Sequence, residues 1–220
     1  MRIIKSKSIL AAGAALVFTL GFWACKDDFL NVSPTGQLTN EVLSSKKGIE
    51  GVLIGAYSML GGRGNFFSGA SNWLNGSILG GEANKGTNGG DQAVVNPVQR
   101  YETLPNNGVV AEKWRICFEG VARCNTLLRL TNATTDPTVT AADKTRLAAE
   151  ARFLRGFYYF ELRRAFGSVP YVDESMTSDE AIKVPNNVDI YPKIEADFQF
   201  AADNLPETQS ALGRANKWAA

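Results

Sequence analysis

Three kinds of side chain in this 220-residue sequence could do chemistry: three cysteines, 22 carboxylates, and a set of aromatic and amide residues in one glycine-rich stretch. Histidine is absent. That removes histidine triads, imidazole general bases and most zinc catalysis. Glycoside hydrolysis would need two carboxylates at a defined separation, and no motif selects such a pair. The run "GGEANKGTNGGD" lacks the Gly-Lys-Ser/Thr ending of a phosphate-binding loop. The sequence therefore names no catalytic residue, no metal ligands and no cofactor.

The cysteines divide into two cases. Cys25 follows an uncharged run, Ser8 to Ala24, that is preceded by Arg2, Lys5 and Lys7. A basic start, an apolar run and a small residue at its end make an export signal over residues 1–24. The run is shorter than the ~20 residues of a spanning helix. A cysteine directly after it resembles a bacterial lipobox, in which that cysteine is diacylated and becomes the mature N-terminus. Phe22 and Trp23 stand where lipoboxes favour an aliphatic and a small residue. The competing reading is plain secretion with an incidental thiol. Cys117 and Cys124, if helical, lie ~10 Å apart along the axis, too far for a disulfide. They read as small apolar residues on a buried face.

The aromatic and amide set lies in residues 61–108, which hold 11 of the 21 glycines and eight asparagines. Phe66, Phe67 and Trp73 stand there beside Asn65, Asn72 and Asn75. Sugars present flat CH faces rimmed by hydroxyls, so aromatic platforms with short amides suit them. The same aromatics could instead anchor the loop on a core. A stretch this long without periodicity is usually functional. A short helix is expected around Asn72 to Leu79.

Helices must position this stretch. Ile49, Val52, Leu53, Ala56, Tyr57 and Leu60 recur at helical steps, started by Ser44 or Ser45 and stopped by Gly61-Gly62. A second helix is expected over 110–130, with Val110, Trp114, Cys117, Phe118, Val121, Asn125 and Leu128 as its stripe. Asn125 is polar there and must bond to a neighbour, expected to be helix backbone. The third covers Ala141 to Phe166, opened by Thr140 and Asp143 as a capping box. Its stripe is Leu147, Ala151, Leu154, Tyr158, Leu162 and Ala165, widened by Phe153, Phe157 and Phe160. Apolar residues over so much of the circumference require packing on more than one side. A fourth spans 189–205, with Pro192 in its first turn. Val169 to Val172 reads as a short extended piece. The expected fold is all-α, TPR-like antiparallel helix pairs with a long Gly/Asn-rich insertion. Residues 25–39 read as a tether and 40–220 as the helical domain.

Several stretches, in order, resemble the SusD/RagB family of outer-membrane nutrient-uptake lipoproteins. They are "CKDDFLNVSPTGQLT", "IEGVLIGAYSML", "WRICFEGVARCNTLL", "EARFLRGFYYFELRRAFGSVPYV", "YPKIEADFQFAADNLPE" and "GRANKWAA". The resemblance covers nearly all of the chain after Cys25. It implies a helical fold with TPR-like pairs, no catalysis, and a lipoprotein lidding a SusC-like TonB-dependent transporter. Its ligands would be oligosaccharides, or peptides in some branches. It also implies that Asp27-Asp28 helps direct the lipoprotein to the cell surface; solubility of the tether is the simpler account. Family members continue beyond this point, and "GRANKWAA" resembles the opening of another helix. The resemblance thus implies an N-terminal portion of the family fold.

Without Arg2, Lys5 and Lys7 the chain has 20 basic and 22 acidic side chains, a net charge of about −2. Nothing there attracts nucleic acid. Two function classes remain: a surface protein binding a small nutrient, and a TPR-like interaction scaffold without a small ligand. Both share the lipid anchor, where ~0.8 kcal/mol per buried CH₂ makes two or more chains a stable attachment. Mass spectrometry of the mature N-terminus should find acyl chains on Cys25. Cys25→Ala should move the protein out of the membrane fraction. An unmodified N-terminus elsewhere overturns the assignment.

Overall fold

Each long helix starts where a side chain can accept the free amides of its first turn. The structure, a computed structural model, describes residues 38–62, 69–70 and 73–220. Cys25, Phe66, Phe67, Asn65 and Asn72 lie outside the described residues. Residues Asn40–Ala220 form one compact unit. It contains α1 (Asn40–Leu43), α2 (Lys46–Gly61), α3 (Asn96–Gln99), α4 (Gly108–Ala133), α5 (Ala141–Phe166), α6 (Ser178–Ala181) and α7 (Tyr191–Asn204). Two 3₁₀ turns, Trp73–Asn75 and Ala93–Val95, lie in the insertion. No strand occurs among the described residues, and no described helix is long and apolar enough to cross a membrane.

Ser45 caps α2 through the Gly48 amide, and Asn107 caps α4 through that of Val109. Thr140 and Asp143 form the full reciprocal box at α5. That helix ends at Gly167, whose φ of 71° favours glycine. Pro192 sits in the first turn of α7.

Paired contacts give the helix directions. Ser44 and Thr134, then Gly55 and Arg123, run α2 against α4. Asn125 with Arg155 and Lys113 with Glu161 run α4 against α5. Arg155 with Asp197 and Arg163 with Tyr191 run α5 against α7. The result is a TPR-like succession of antiparallel pairs. In it, α5 contacts α2, α4 and α7, which answers its broad apolar circumference. Tyr158 and Tyr159 are both buried and reach opposite neighbours. Tyr158 donates to the Ala56 carbonyl at 2.6 Å, and Tyr159 to that of Val172 at 2.8 Å. The Val172 amide returns a bond to the Tyr159 hydroxyl. This pins the extended piece, which pairs with a side chain and not with a strand. A Cβ on Gly120 would lie 2.5 Å from the Tyr158 ring, so glycine lets α4 and α5 approach closely.

The structure corrects several expectations. The buried face of α4 runs through Val109, Lys113, Ile116, Cys117, Gly120, Val121, Cys124, Asn125, Leu127 and Leu128. Trp114 is exposed and Val110 only half-buried. That face passes through Lys113, which is buried and ion-paired. Ala165 is exposed, at the rim of the cavity where the end of α5 meets the start of α4. Asn125 finds a loop carbonyl, Val172, and the Arg155 side chain, not helix backbone. The expected 72–79 helix is one 3₁₀ turn followed by turns. "GRANKWAA" is a turn in which Asn216 accepts the amides of Trp218 and Ala219, as an N-cap does.

The buried guanidinium of Arg155 joins these segments. It donates to both Asp197 oxygens at 2.7 and 2.8 Å and to Asn125 Oδ1 at 2.9 Å, and it pairs with Glu174. Burial opposes its charge, but the Asp197 bonds more than offset this and hold it above its ordinary pKa. Removing one partner of a buried pair leaves the other charge stranded, at a cost of about 3–5 kcal/mol. Asp197→Ala should therefore lower the urea midpoint sharply while the slope stays constant. An unchanged midpoint would show that α7 docks without the pair.

Candidate functional site

The insertion is fixed by a small core of its own. Leu74, Ile78, Val95 and Val98 are buried together with Val109, the second residue of α4. Its polar residues close the turns. Asn84 accepts the Gly86 amide, Asn88 those of Gly90 and Asp91, and Lys85 donates to Asn96 at 2.7 Å. Tyr101, held at a φ of 59°, donates to the Leu79 carbonyl at 2.8 Å. Such left-handed backbone is uncommon without glycine and persists where surroundings over-determine it. Several asparagines of this stretch thus serve as turn fasteners.

Leu74 faces inward, which turns its neighbour Trp73 outward, where it is 42% exposed. Asn75, on the same 3₁₀ turn, lines a cavity of about 270 Å³. The cavity lies where the insertion meets the start of α4 and the end of α5. Leu79, Val98, Val109, Val110 and Phe166 give it apolar walls; Thr103, Lys113, Glu161 and Arg164 give it polar ones. Lys113 is only 1% exposed and bonds to Glu161 Oε2 at 2.5 Å and to the Ala70 carbonyl. Arg164 donates to Glu161 Oε1 at 2.7 Å. Both carboxylate oxygens are engaged, and two cations share one anion. Beside the cavity, Trp114 meets Phe166 edge-on at 5.1 Å and Phe118 at 4.7 Å. A second hollow of about 240 Å³ borders Arg155 and Asp197. Its buried ions are committed to each other and read as structural.

Of the residues singled out from sequence, the structure brings Trp73 and Asn75 to one 3₁₀ turn, of which Asn75 lines the cavity. Phe66, Phe67 and Cys25 lie outside the described residues. Thr103, Lys113, Glu161, Arg164 and Phe166 were missed. One signal was available for Lys113: it stands in step with Val109, Ile116 and Gly120, on the helix face that must be buried. Among the described residues, no three His, Cys, Asp or Glu side chains gather as a metal set.

Comparison with known proteins gives a consistent result. The SusD-like family model, described as starch-binding and associating with the outer membrane, matches residues 28–220. A SusD-like protein of Bacteroides ovatus is 29% identical over 230 residues, across 100% of this chain and 38% of its own length. The surface glycan-binding protein A of Bacteroides uniformis superposes with a TM-score of 0.63 at 27% identity, over 80% of this chain and 40% of that one. A SusD-like protein of Bacteroides fragilis superposes with a TM-score of 0.65 at 20% identity, over 83% and 34%. The chain therefore spans well under half the length of these relatives.

The packing of α4 can be tested without a ligand. Cys117 and Cys124 are free and buried in the helical core. Burial pushes the Cys117 thiol up to about 12, with Lys113 pulling it down and Glu161 raising it. Burial likewise raises Cys124 well above the ordinary thiol range. The thiolate is the reactive form. Both should resist iodoacetamide at pH 8 in the native protein and react once it is unfolded in urea. Rapid native labelling of Cys117 would mean that the helical core opens around α4.

Proposed function

This chain belongs to the SusD-like family, and on that premise we propose that it is a cell-surface lipoprotein that captures oligosaccharides. In this reading Cys25 carries the lipid that holds it on the outer membrane. The captured sugar passes to a SusC-like TonB-dependent transporter. The protein binds and hands over; it does no chemistry on its ligand. The surface glycan-binding relative of Bacteroides uniformis supports the ligand class.

One observation carries the reading. Trp73 presents its indole outward on a turn whose next residue, Leu74, is fully buried. An exposed tryptophan on a rigid base offers a flat apolar face to a sugar ring. It also loses little conformational freedom on binding. Asn75 lines the adjoining cavity.

The test is to replace Trp73 in the full chain and titrate oligosaccharides from starch, laminarin and other neutral glycans. Trp73→Ala should weaken the binding of the best ligand by about tenfold or more, a loss of ~1.4 kcal/mol. The far-ultraviolet circular dichroism and the melting temperature should stay near wild type. Unchanged affinity with a melting temperature lowered by several degrees would make Trp73 a core anchor. No oligosaccharide binding by the unaltered chain would favour the interaction scaffold.

A further inference from the structure

The cavity beside Trp73 carries an excess of positive charge that binding a neutral sugar does not require. Lys113 and Arg164 both line it, and Glu161 is the single carboxylate among its lining residues. Each Glu161 oxygen is bonded to one of the two cations, so one carboxylate faces two positive charges. Among the described residues Lys113 donates to the Ala70 carbonyl and to Glu161. Arg164 uses one donor on Glu161 and is half-exposed, so the rest of its planar fork is available.

We infer that this cavity is a subsite for the carboxylate-bearing ring of an acidic sugar, a uronate, within the oligosaccharide. The inference rests on the glycan-binding reading above. A carboxylate placed between Lys113 and Arg164 would neutralise the surplus charge with charge-assisted bonds. It would do so in a largely buried place, where such bonds are stronger than in water. Phe166 and the aliphatic walls meet the CH face of the ring, and Asn75 and Thr103 meet its hydroxyls. At about 270 Å³, the space lies just below the ~300–1,000 Å³ of drug-sized ligand pockets. It suits one ring and not a chain. A neutral sugar in the same place would leave the surplus positive charge of the lining without a counter-charge, so the site discriminates by charge as well as by shape.

The test uses matched probes on the full chain, followed by nuclear magnetic resonance: glucuronate against glucose, galacturonate against galactose, and acetate and sulfate as bare anions. At least one uronate should bind about tenfold tighter than its neutral counterpart, the range expected for a charge-assisted bond. It should also bind tighter than either bare anion. Arg164→Gln should abolish the preference. This position is chosen because Arg164 is half-exposed, whereas Lys113 is buried and bonded to both Ala70 and Glu161. Circular dichroism of Arg164→Gln should match wild type. Equal affinity for uronate and neutral sugar, no binding of any uronate, acetate or sulfate binding as well as the uronates, or a preference that survives Arg164→Gln each overturns the subsite. Neutral oligosaccharides titrated in parallel separate the two readings. If they bind through Trp73 while uronates show no preference, only the subsite fails. If the uronate preference holds while Trp73→Ala changes nothing, the tryptophan platform fails and the charged cavity stands.

Discussion

Arg155 is the constraint on which the helical stack depends. A guanidinium with so little contact with water must be paired on every side, because an uncompensated charge there costs several kcal/mol. Its partners come from three directions: Asn125 on α4, Glu174 on the connection after α5, and Asp197 on α7. Apolar packing alone tolerates sliding, since one leucine fills a groove much as another does. Fixed donor and acceptor positions do not. Once Asn125 faces Arg155, the antiparallel register of α4 and α5 is set. Nearer the start of α4, Lys113 pairs with Glu161 across the same two helices, beside the charged cavity.

A second polar cluster does comparable work for α2. Glu150 is fully buried on α5 and accepts from the Tyr57 hydroxyl at 2.8 Å, Arg146 at 2.7 Å and Arg214 at 3.2 Å. Tyr57 in turn accepts the Ala215 amide. Burial opposes the ionisation of nearby Glu50, but Arg214 and Arg146 more than offset it and keep its carboxyl below the ordinary range. Beyond both clusters on α5, Tyr158 and Tyr159 sit in the apolar core, with their hydroxyls bonded to opposite neighbours. The helix pairs are thus specified by polar groups and stabilised by apolar ones. The insertion is a separate solution, a five-residue core on Val109 whose turns are closed by asparagine side chains. That arrangement leaves Trp73 outside and Asn75 at the cavity.

Local signals in the sequence were enough for the elements. The Thr140–Asp143 box and Gly167 bound α5 at Ala141 and Phe166, as expected, because caps act within one turn and need no distant partner. The step of Ile49, Leu53 and Ala56 marked the buried face of α2 for the same reason. The order of the quoted stretches was sufficient for the family. The separation of Cys117 and Cys124 along one helix was enough to leave them unpaired.

Tertiary structure decided what involves partners far apart in the chain. The buried face of α4 passes through Lys113 and not Trp114, and the partner that allows it, Glu161, is 48 positions away. The environment of Asn125 was equally hidden, because both Arg155 and the Val172 carbonyl come from later segments. Thr103, Arg164 and Phe166 carry no local pattern and become lining residues only where the insertion meets the end of α5. Caps and periodicity are short-range and can be read from neighbours. A cavity and its net charge are sums over residues that only folding brings together.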